Sequence, residues 1–164
     1  MAKATDKKTN AMRKLDTGKI NYHVLSYECD EEHFDGKIVA DQVGLAYSSV
    51  FKTLVAKAEK GRIIVCCIPV DKKLSLKALA QAAGEKKLEM LHVNEILAAT
   101  GYIRGGCSPI GMKKTYDTFI DESAADLDEI AVSAGVRGKQ IVLSAAELIS
   151  FTGAVTGAFA TESD

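Results

Sequence analysis

One glycine-rich segment carries the residue types with the clearest chemical potential. Residues 100–114 are Thr-Gly-Tyr-Ile-Arg-Gly-Gly-Cys-Ser-Pro-Ile-Gly-Met-Lys-Lys, with four glycines and one of the 2 prolines in the chain. Adjacent glycines such as Gly105 and Gly106 let main-chain N–H groups approach a ligand closely, and such groups bind an anion or a developing oxyanion. Pro109 stiffens the far side of the loop. The alternative is a surface loop whose glycines only make turns, since a loop type does not by itself indicate a function.

Lys52 is the second candidate, because it interrupts an apolar strand. In residues 50–55, Val-Phe-Lys-Thr-Leu-Val, side-chain alternation places Lys52 on the same face as Val50 and Leu54. The side chain either reaches from a sheet edge to solvent or points into a polar site. In a polar site its ammonium would attract a phosphate or a nascent oxyanion.

A turn at residues 132–138, Val-Ser-Ala-Gly-Val-Arg-Gly, is the third candidate. Ser133 offers a hydroxyl, and Arg137 would either hold a phosphate or pair with a surface carboxylate. On these residues alone, a plain hairpin turn shaped by Gly135 and Gly138 is the stronger interpretation.

Composition and charge limit the classes of function. The chain has 164 residues and a formal net charge of −1, which predicts one domain that would hold only a small piece of nucleic acid. The spacing of Cys29, Cys66, Cys67 and Cys107 fits neither a disulfide framework nor a metal site, so we expect no metal and no cofactor. No apolar run is long enough to span a bilayer, and the N-terminus lacks the apolar stretch of a secretory signal. The predicted location is therefore the cytoplasm.

The elements that must position these residues follow from apolar periodicity and capping signals. Helices are predicted at residues 10–16, 36–43, 76–83 and 93–100, and after the Ser144-Ala-Ala-Glu147 capping box. Strands are predicted at residues 22–28, 50–56, 62–68, 87–91, 116–121, 129–133 and 140–143, the second and third forming a hairpin. Short turns between neighbours favour a mixed α/β (α+β) fold, with a mixed, mostly antiparallel sheet or partial barrel surrounded by helices. The predicted domain covers residues 1–153, and residues 154–164 are expected to be a C-terminal tail with little pattern.

From about residue 9 to residue 151, the chain resembles the YbaK/EbsC family of aminoacyl-tRNA editing proteins. The resemblance rests on Tyr27, on residues 51–54, 76–77 and 87–90, and above all on the string Thr-Gly-Tyr-x-x-Gly-Gly-x-Ser-Pro-x-Gly-x-Lys-Lys at 100–114. It implies a fold similar to the editing domain inserted in many bacterial prolyl-tRNA synthetases. It also implies a trans-acting deacylase that clears mischarged Cys-tRNA(Pro), since small side chains are hard to reject by packing alone. The implied partners are the aminoacylated 3′ end of tRNA and prolyl-tRNA synthetase.

The resemblance assigns roles to individual residues. Lys52 would position the tRNA terminus through a phosphate, and Gly101 would leave space for the aminoacyl group. Ser133 would lie near the terminal adenosine. The residues that would frame the ester carbonyl are Gly105, Gly106 and Ser108. The remaining residues expected to bind substrate are Tyr27, Thr53, Tyr102, Pro109 and Arg137. One departure is Gln140, which stands where family members often carry an acidic residue.

The implied chemistry needs no attacking side chain of the protein. The thiol of the substrate cysteine would attack its own carbonyl and expel the ribose, so that the first product is a cyclic thiolactone and the reaction is formally that of a lyase. An attacking group held in line gains about 7–11 kcal/mol. The protein then needs only to fold the substrate and support the oxyanion.

Two other functions fit the same residues. A thiol hydrolase would use Cys107, activated by one of His23, His33 and His92, none of which the sequence ties to it. A non-catalytic module would bind tRNA ends or a synthetase without turnover. Replacement of Cys107 by alanine separates a thiol hydrolase from a deacylase that relies on the thiol of its substrate.

Overall fold

The computed structural model describes residues 8–28 and 35–162, so Cys29 and His33 lie outside the described residues. None of the described helices has the length and apolarity needed to cross a membrane. The helices are α1 (Asn10–Thr17), α2 (Gly36–Val43), α3 (Leu76–Ala83), α4 (Val93–Thr100) and α5 (Ala145–Thr152). The strands are β1 (Tyr22–Ser26), β2 (Phe51–Ala58), β3 (Ile63–Pro69), β4 (Lys72–Leu74), β5 (Leu88–Met90), β6 (Asp117–Asp121), β7 (Glu129–Ser133), β8 (Lys139–Ser144), β9 (Val155–Gly157) and β10 (Ala160–Glu162).

Local sequence signals set the ends of the helices. The Ser144 hydroxyl accepts a hydrogen bond from the Glu147 N–H at 3.2 Å, which confirms the predicted cap of α5. Ser75 caps α3 in the same way through the Ala78 N–H at 3.1 Å. Four helices end at a glycine in the left-handed conformation, which other residues adopt only with strain. These glycines are Gly44, Gly84, Gly101 and Gly153.

The strands form a mixed arrangement of sheets. The largest sheet has the order β5-β2-β3-β6-β9, and two smaller sheets have the orders β1-β8-β7 and β10-β4. The pairs β3–β6 and β6–β9 are parallel, and the other strand pairs are antiparallel. A parallel bridge between Val50 and Ala131 joins the start of β2 to β7. The predicted mixed, mostly antiparallel sheet and the predicted β2–β3 hairpin are both confirmed.

Strand β3 is buried on both faces, as its continuous apolar run predicts. Ile64 and Cys66 pack in the cluster that covers α3. The opposite face carries Cys67, which packs in the cluster that contains Leu15 of α1 and Leu148 of α5. This strand therefore forms the central layer between two sets of helices.

The prediction that residues 154–164 form a tail with little pattern is wrong for residues 155–162. Strand β9 pairs with β6, and β10 pairs with β4. Between them Phe159 is only 2% exposed and packs edge-on against Phe119. The Asp121 carboxylate accepts hydrogen bonds from the Phe159 and Ala160 N–H groups, both at 3.0 Å. Each strand has three residues, too few to show a periodic pattern, and both depend on partners distant in sequence.

Candidate functional site

A cavity of about 630 Å³ opens where four separate parts of the chain meet. Its walls are the N-terminus of α2, the first half of β2, the segment from β5 into α4, and the loop that follows α4, with the ends of β7 and β8 adding polar groups. Five residues expected to contact substrate lie in this lining. They are Tyr27, Lys52, Thr53, Gly105 and Ser133.

The cavity lies at an open stretch of the edge of β2. On one side β3 pairs with residues 51–57, whereas on the other side β5 reaches only residues 56–58. Val50 O accepts from the Val70 N–H, and Val55 O accepts from the Leu91 N–H on the opposite side, both at 2.9 Å. Because main-chain groups of an antiparallel strand point alternately to its two sides, the N–H and C=O of Thr53 point away from β3. These groups therefore lie at the open edge that forms a wall of the cavity.

Lys52 points into the cavity and is half-buried there. Within the part of the chain that the structure describes, no carboxylate lies within ion-pair distance of its ammonium, whereas Lys72 is paired with Glu162 at 2.6 Å. Burial lowers the pKa of Lys52, an effect that Asp35 and Asp71 oppose. The structure thus places the Lys52 side chain in a polar site and not in a purely solvent-facing position, and its ammonium remains available to an anion.

Additional positive charge surrounds Lys52. Lys37, Lys72 and Arg104 line the same cavity, and Asp35 is the carboxylate among its lining residues. Lys37 also lowers the pKa of Lys52, as expected of a neighbouring like charge. None of these three basic residues stands out in the sequence, because lysines and arginines scattered along a near-neutral chain give no local signal. The cavity therefore carries a cationic character that the overall charge of −1 conceals.

The glycine-rich loop contributes one glycine to the cavity and uses the next for packing. Gly105 lines the cavity with a φ of 86°. The Gly106 N–H donates to Ile103 O at 2.9 Å, so this amide is already occupied. A side chain at Gly106 would come within 3.2 Å of the main chain of Val136 and Arg137. Gly106 is therefore required by close packing against the turn between β7 and β8, and the expectation that it frames a carbonyl has no support in its position.

Four more predicted residues lie behind the cavity wall and not in it. Ser108 is fully buried, and its Oγ accepts from the Ile110 N–H at 3.3 Å. The Tyr102 hydroxyl donates to Ile110 O at 2.6 Å, and burial raises the pKa of Tyr102 to about 12. Pro109 is buried beside them, and Gly101 is an exposed residue that ends α4. These residues hold the shape of the loop, and the structure does not bring them to the cavity.

The turn between β7 and β8 contributes to the cavity and also holds the glycine-rich loop in place. Ser133 is 8% exposed and its Oγ accepts from the Gly135 N–H at 3.1 Å. Arg137 lies outside the lining, where its Nε donates to Arg104 O at 2.8 Å. The turn is therefore more than a plain hairpin, because Arg137 fastens the loop residue that precedes Gly105.

Cys107 lines the cavity but lacks the character of a nucleophile. Its side chain is 8% exposed, and burial raises the pKa of its thiol to about 11. The thiol is therefore protonated at neutral pH, whereas a reactive cysteine needs a lowered pKa. Of the described histidines, neither His23 nor His92 lines the cavity. The geometry thus argues against a thiol hydrolase built on Cys107.

Comparisons with known proteins agree on one family. Residues 34–151 match the family described as "Aminoacyl-tRNA editing domain". EbsC of Enterococcus faecalis, named as a proposed Cys-tRNA(Pro)/Cys-tRNA(Cys) deacylase, is 45% identical over 150 residues that cover 92% of each chain. YwhH of Bacillus subtilis, an uncharacterised protein, is 29% identical over 113 residues, or 69% of this chain and 71% of that protein.

Solved structures share the fold at lower identity. The crystal structure of a proposed trans-editing enzyme for prolyl-tRNA synthetase superposes with a TM-score of 0.80 at 22% identity, covering 93% of this chain and 95% of that one. The crystal structure of the hypothetical protein APE2540 gives a TM-score of 0.85 at 21% identity, covering 93% and 100%. At such identities the likeness establishes the fold alone.

Proposed function

Because the chain belongs to the family of aminoacyl-tRNA editing domains, we propose that it is a trans-editing deacylase that removes cysteine from mischarged Cys-tRNA(Pro). Its 45% identity with EbsC across 92% of both chains supports this substrate class. The observation that carries the proposal is that one cavity is lined both by Lys52, whose ammonium has no ion-pair partner among the described residues, and by the main chain at Gly105. The first provides a positive charge for a phosphate, and the second provides close access for a reacting carbonyl.

The size and charge of the cavity suit the 3′ end of a charged tRNA. A volume of about 630 Å³ lies in the usual range for small-molecule sites, about 300–1,000 Å³, and admits one aminoacylated nucleoside. The basic side chains attract the terminal phosphate, and Lys52 binds it. The open edge at Thr53 adds a main-chain donor and acceptor for the nucleoside. Recognition is thereby confined to the terminus, in keeping with the net charge of −1.

The main chain at the loop supports the oxyanion. The amide of Gly106 is occupied, whereas Gly105 and Cys107, which flank it, line the cavity without a main-chain N–H bond among the described residues. These two N–H groups are the donors that we assign to the ester carbonyl. Pre-positioned donors of this kind are usually worth about 3–4 kcal/mol of transition-state stabilisation each.

The bond changes balance without a nucleophile from the protein. The sulfur of the substrate cysteine forms a C–S bond to its own carbonyl carbon, and the electron pair of the C=O bond moves onto oxygen. Collapse of this intermediate breaks the bond to the ribose oxygen, which leaves with the proton that the thiol has lost. The products are tRNA with a free terminal hydroxyl and a cyclic thiolactone, which water then opens to cysteine. The Cys107 thiol is buried and protonated, which is consistent with a side chain that lines the cavity and takes no part in these steps.

Prolyl-tRNA synthetase is the proposed partner. A near-neutral chain that holds only the tRNA terminus binds tRNA weakly, and a complex with the synthetase would raise the local concentration of the mischarged product. A solved structure with the same fold is named as a proposed trans-editing enzyme for prolyl-tRNA synthetase, and that name supports this choice. The cytoplasm, where tRNA is charged, is the proposed location.

The test uses the purified chain with labelled Cys-tRNA(Pro), alone and with prolyl-tRNA synthetase. We expect rapid loss of the cysteinyl ester. The matched substrate is 2-aminobutyryl-tRNA(Pro), which has a similar size but no thiol and should persist. Equal hydrolysis of both esters would refute the substrate-thiol mechanism while leaving a deacylase. Binding of Cys-tRNA(Pro) without turnover would refute the deacylase and leave a binding module.

A further inference from the structure

Helix α4 and the strand before it expose an apolar patch, which we define as Met90, Val93 and Leu97. Val93 and Leu97 are four positions apart on the helix, so their side chains lie on the same face. Val93 is 58% exposed, Leu97 is 54% exposed, and Met90 at the end of β5 is 41% exposed. Single exposed apolar residues are common, whereas a group of neighbouring ones usually marks a surface that another molecule covers.

The inner face of α4 already accounts for the packing of the helix within the fold. Ile96 and Ala99 pack against the buried cluster that contains Val55 and Leu91. Helix α4 therefore carries apolar side chains on two faces, a pattern typical of a helix that is covered on both sides. The described part of the chain covers only the inner face, and a glutamine or lysine at the outer positions would favour a helix equally well. Folding thus does not explain the patch, whereas a partner molecule does.

The patch is continuous with the mouth of the cavity. Met90 and Val93 are exposed and also belong to the cavity lining, so they lie at its rim. Leu97 lies one helical turn beyond Val93 and outside the lining. A molecule seated on the patch is therefore next to the opening through which the aminoacylated end must enter.

The composition of this region favours a protein over RNA as that molecule. Residues 88–103 contain no lysine or arginine, and their charged side chains, Glu89 and Glu95, are acidic. RNA phosphates need cations, and unpaired bases stack on exposed aromatic rings. Tyr102 is the only Phe, Tyr or Trp in residues 88–103, and it is buried. An apolar surface without charge is instead typical of the centre of a protein–protein interface.

The extent and the place of the patch favour a transient partner over a second copy of the chain. A stable interface takes about 800 Å² and roughly 20–30 residues from each side, far more than three side chains supply. Two copies joined through the patch would also face each other across their cavity mouths, where the tRNA ends must enter. A weak contact that forms while substrate is delivered agrees with both observations.

We propose that this patch docks a protein that delivers the charged tRNA end to the cavity, through an apolar surface of that protein. The inference rests on the proposed function, which supplies prolyl-tRNA synthetase as the protein, and it assigns the contact to the outer face of α4. A synthetase held there brings its mischarged 3′ end beside the mouth of the cavity. The local concentration of the ester then rises without stronger binding of tRNA by this chain.

The test replaces Leu97, which lies outside the cavity, by glutamine, an uncharged residue that favours helices. Val155→Gln is the matched control, since Val155 is 52% exposed on β9, at the opposite edge of the large sheet from β5. Two quantities are measured: kcat/KM on Cys-tRNA(Pro) alone, and Kd for prolyl-tRNA synthetase with uncharged tRNA(Pro). We expect Leu97→Gln to leave kcat/KM unchanged and to raise Kd about tenfold or more, as loss of one buried leucine requires. Leu97→Met, which conserves volume, should restore the Kd.

An unchanged Kd for Leu97→Gln, or no measurable binding of the synthetase by the unchanged chain, would overturn the inference while leaving the deacylase intact. A loss of kcat/KM on Cys-tRNA(Pro) alone would also overturn it, because the patch would then contact RNA. Sedimentation of the unchanged chain as a dimer and of Leu97→Gln as a monomer would assign the patch to a second copy instead. Absence of turnover by the unchanged chain would refute the proposed function, and the binding measurement, which needs no turnover, would still decide whether α4 docks the synthetase.

Discussion

Replacement of Lys52 by methionine tests whether its ammonium binds the phosphate of the tRNA terminus. Methionine retains most of the apolar stem but removes the ammonium, which lies half-buried in the cavity and has no ion-pair partner among the residues that the structure describes. A hydrogen bond to a charged group contributes about 1.5–3 kcal/mol, and about 1.4 kcal/mol corresponds to a factor of ten. We therefore expect kcat/KM for Cys-tRNA(Pro) to fall by roughly 10- to 100-fold.

The stability of this variant should move in the opposite direction. Folding lowers the pKa of Lys52 through burial, so the folded chain binds this proton less tightly than the unfolded chain. The charged form therefore destabilises the fold at every pH below the lowered pKa, and this cost disappears as the pH rises through the folded and then the unfolded pKa. Since methionine removes the charge, the midpoint of thermal unfolding at pH 7 should be equal to or above that of the unchanged chain.

Lys57→Met is the matched control, because Lys57 belongs to the same strand but lies outside the cavity and pairs with Glu95 at 3.4 Å. Its kcat/KM should stay close to that of the unchanged chain. Lys52→Met should also flatten the plot of log kcat/KM against log salt by about 0.7, the contribution of one phosphate contact to a single strand. Near-normal turnover by Lys52→Met, or an unaltered salt slope, would refute the assigned phosphate contact.

Two further outcomes follow from the packing and the protonation of particular groups. Cys107→Ala should retain deacylation within about threefold in a steady-state assay, because burial raises the pKa of this thiol to about 11 and keeps it protonated. A loss of activity beyond about 100-fold in a folded variant would instead support the hypothesis of a thiol hydrolase that uses Cys107. Phe159→Ala should lower the free energy of unfolding in urea by about 3–5 kcal/mol, as truncation of a buried phenylalanine does. A change below about 1 kcal/mol would mean that residues 155–162 do not belong to the folded unit.

Helices were predictable because their signals are local. Residues 36–43, 76–83 and 93–100 were predicted with the bounds that α2, α3 and α4 have in the structure. A capping hydroxyl such as that of Ser75 and a terminal glycine such as Gly84 act on groups within a few residues, so the chain itself carries the information. The short strands β4, β9 and β10 escaped prediction because their stability comes from partners far away in sequence.

The site was predictable only in part, for a related reason. Lys52 and Gly105 stood out by type and context, and the structure brings both to one cavity. The glycine-rich motif at residues 100–114 also contains Ser108 and Gly101, which lie behind the cavity wall and maintain the shape of the loop. Sequence spacing cannot distinguish a residue that faces the cavity from one that supports the loop. That distinction depends on which amides the loop already uses, as the bond from Gly106 to Ile103 shows.

The sequence by itself determined the family, the helix ends and the two motifs that meet in the site, because each rests on residues close together along the chain. Tertiary structure alone decided that the open edge of β2 faces the loop after α4, that four cationic residues surround one cavity, and that Gln140 contributes to its lining. Those features arise from contacts between segments many residues apart. The burial of a side chain, the pKa of a titratable group and the set of main-chain N–H groups left available to a ligand all depend on how these segments pack together, and no local sequence pattern encodes them.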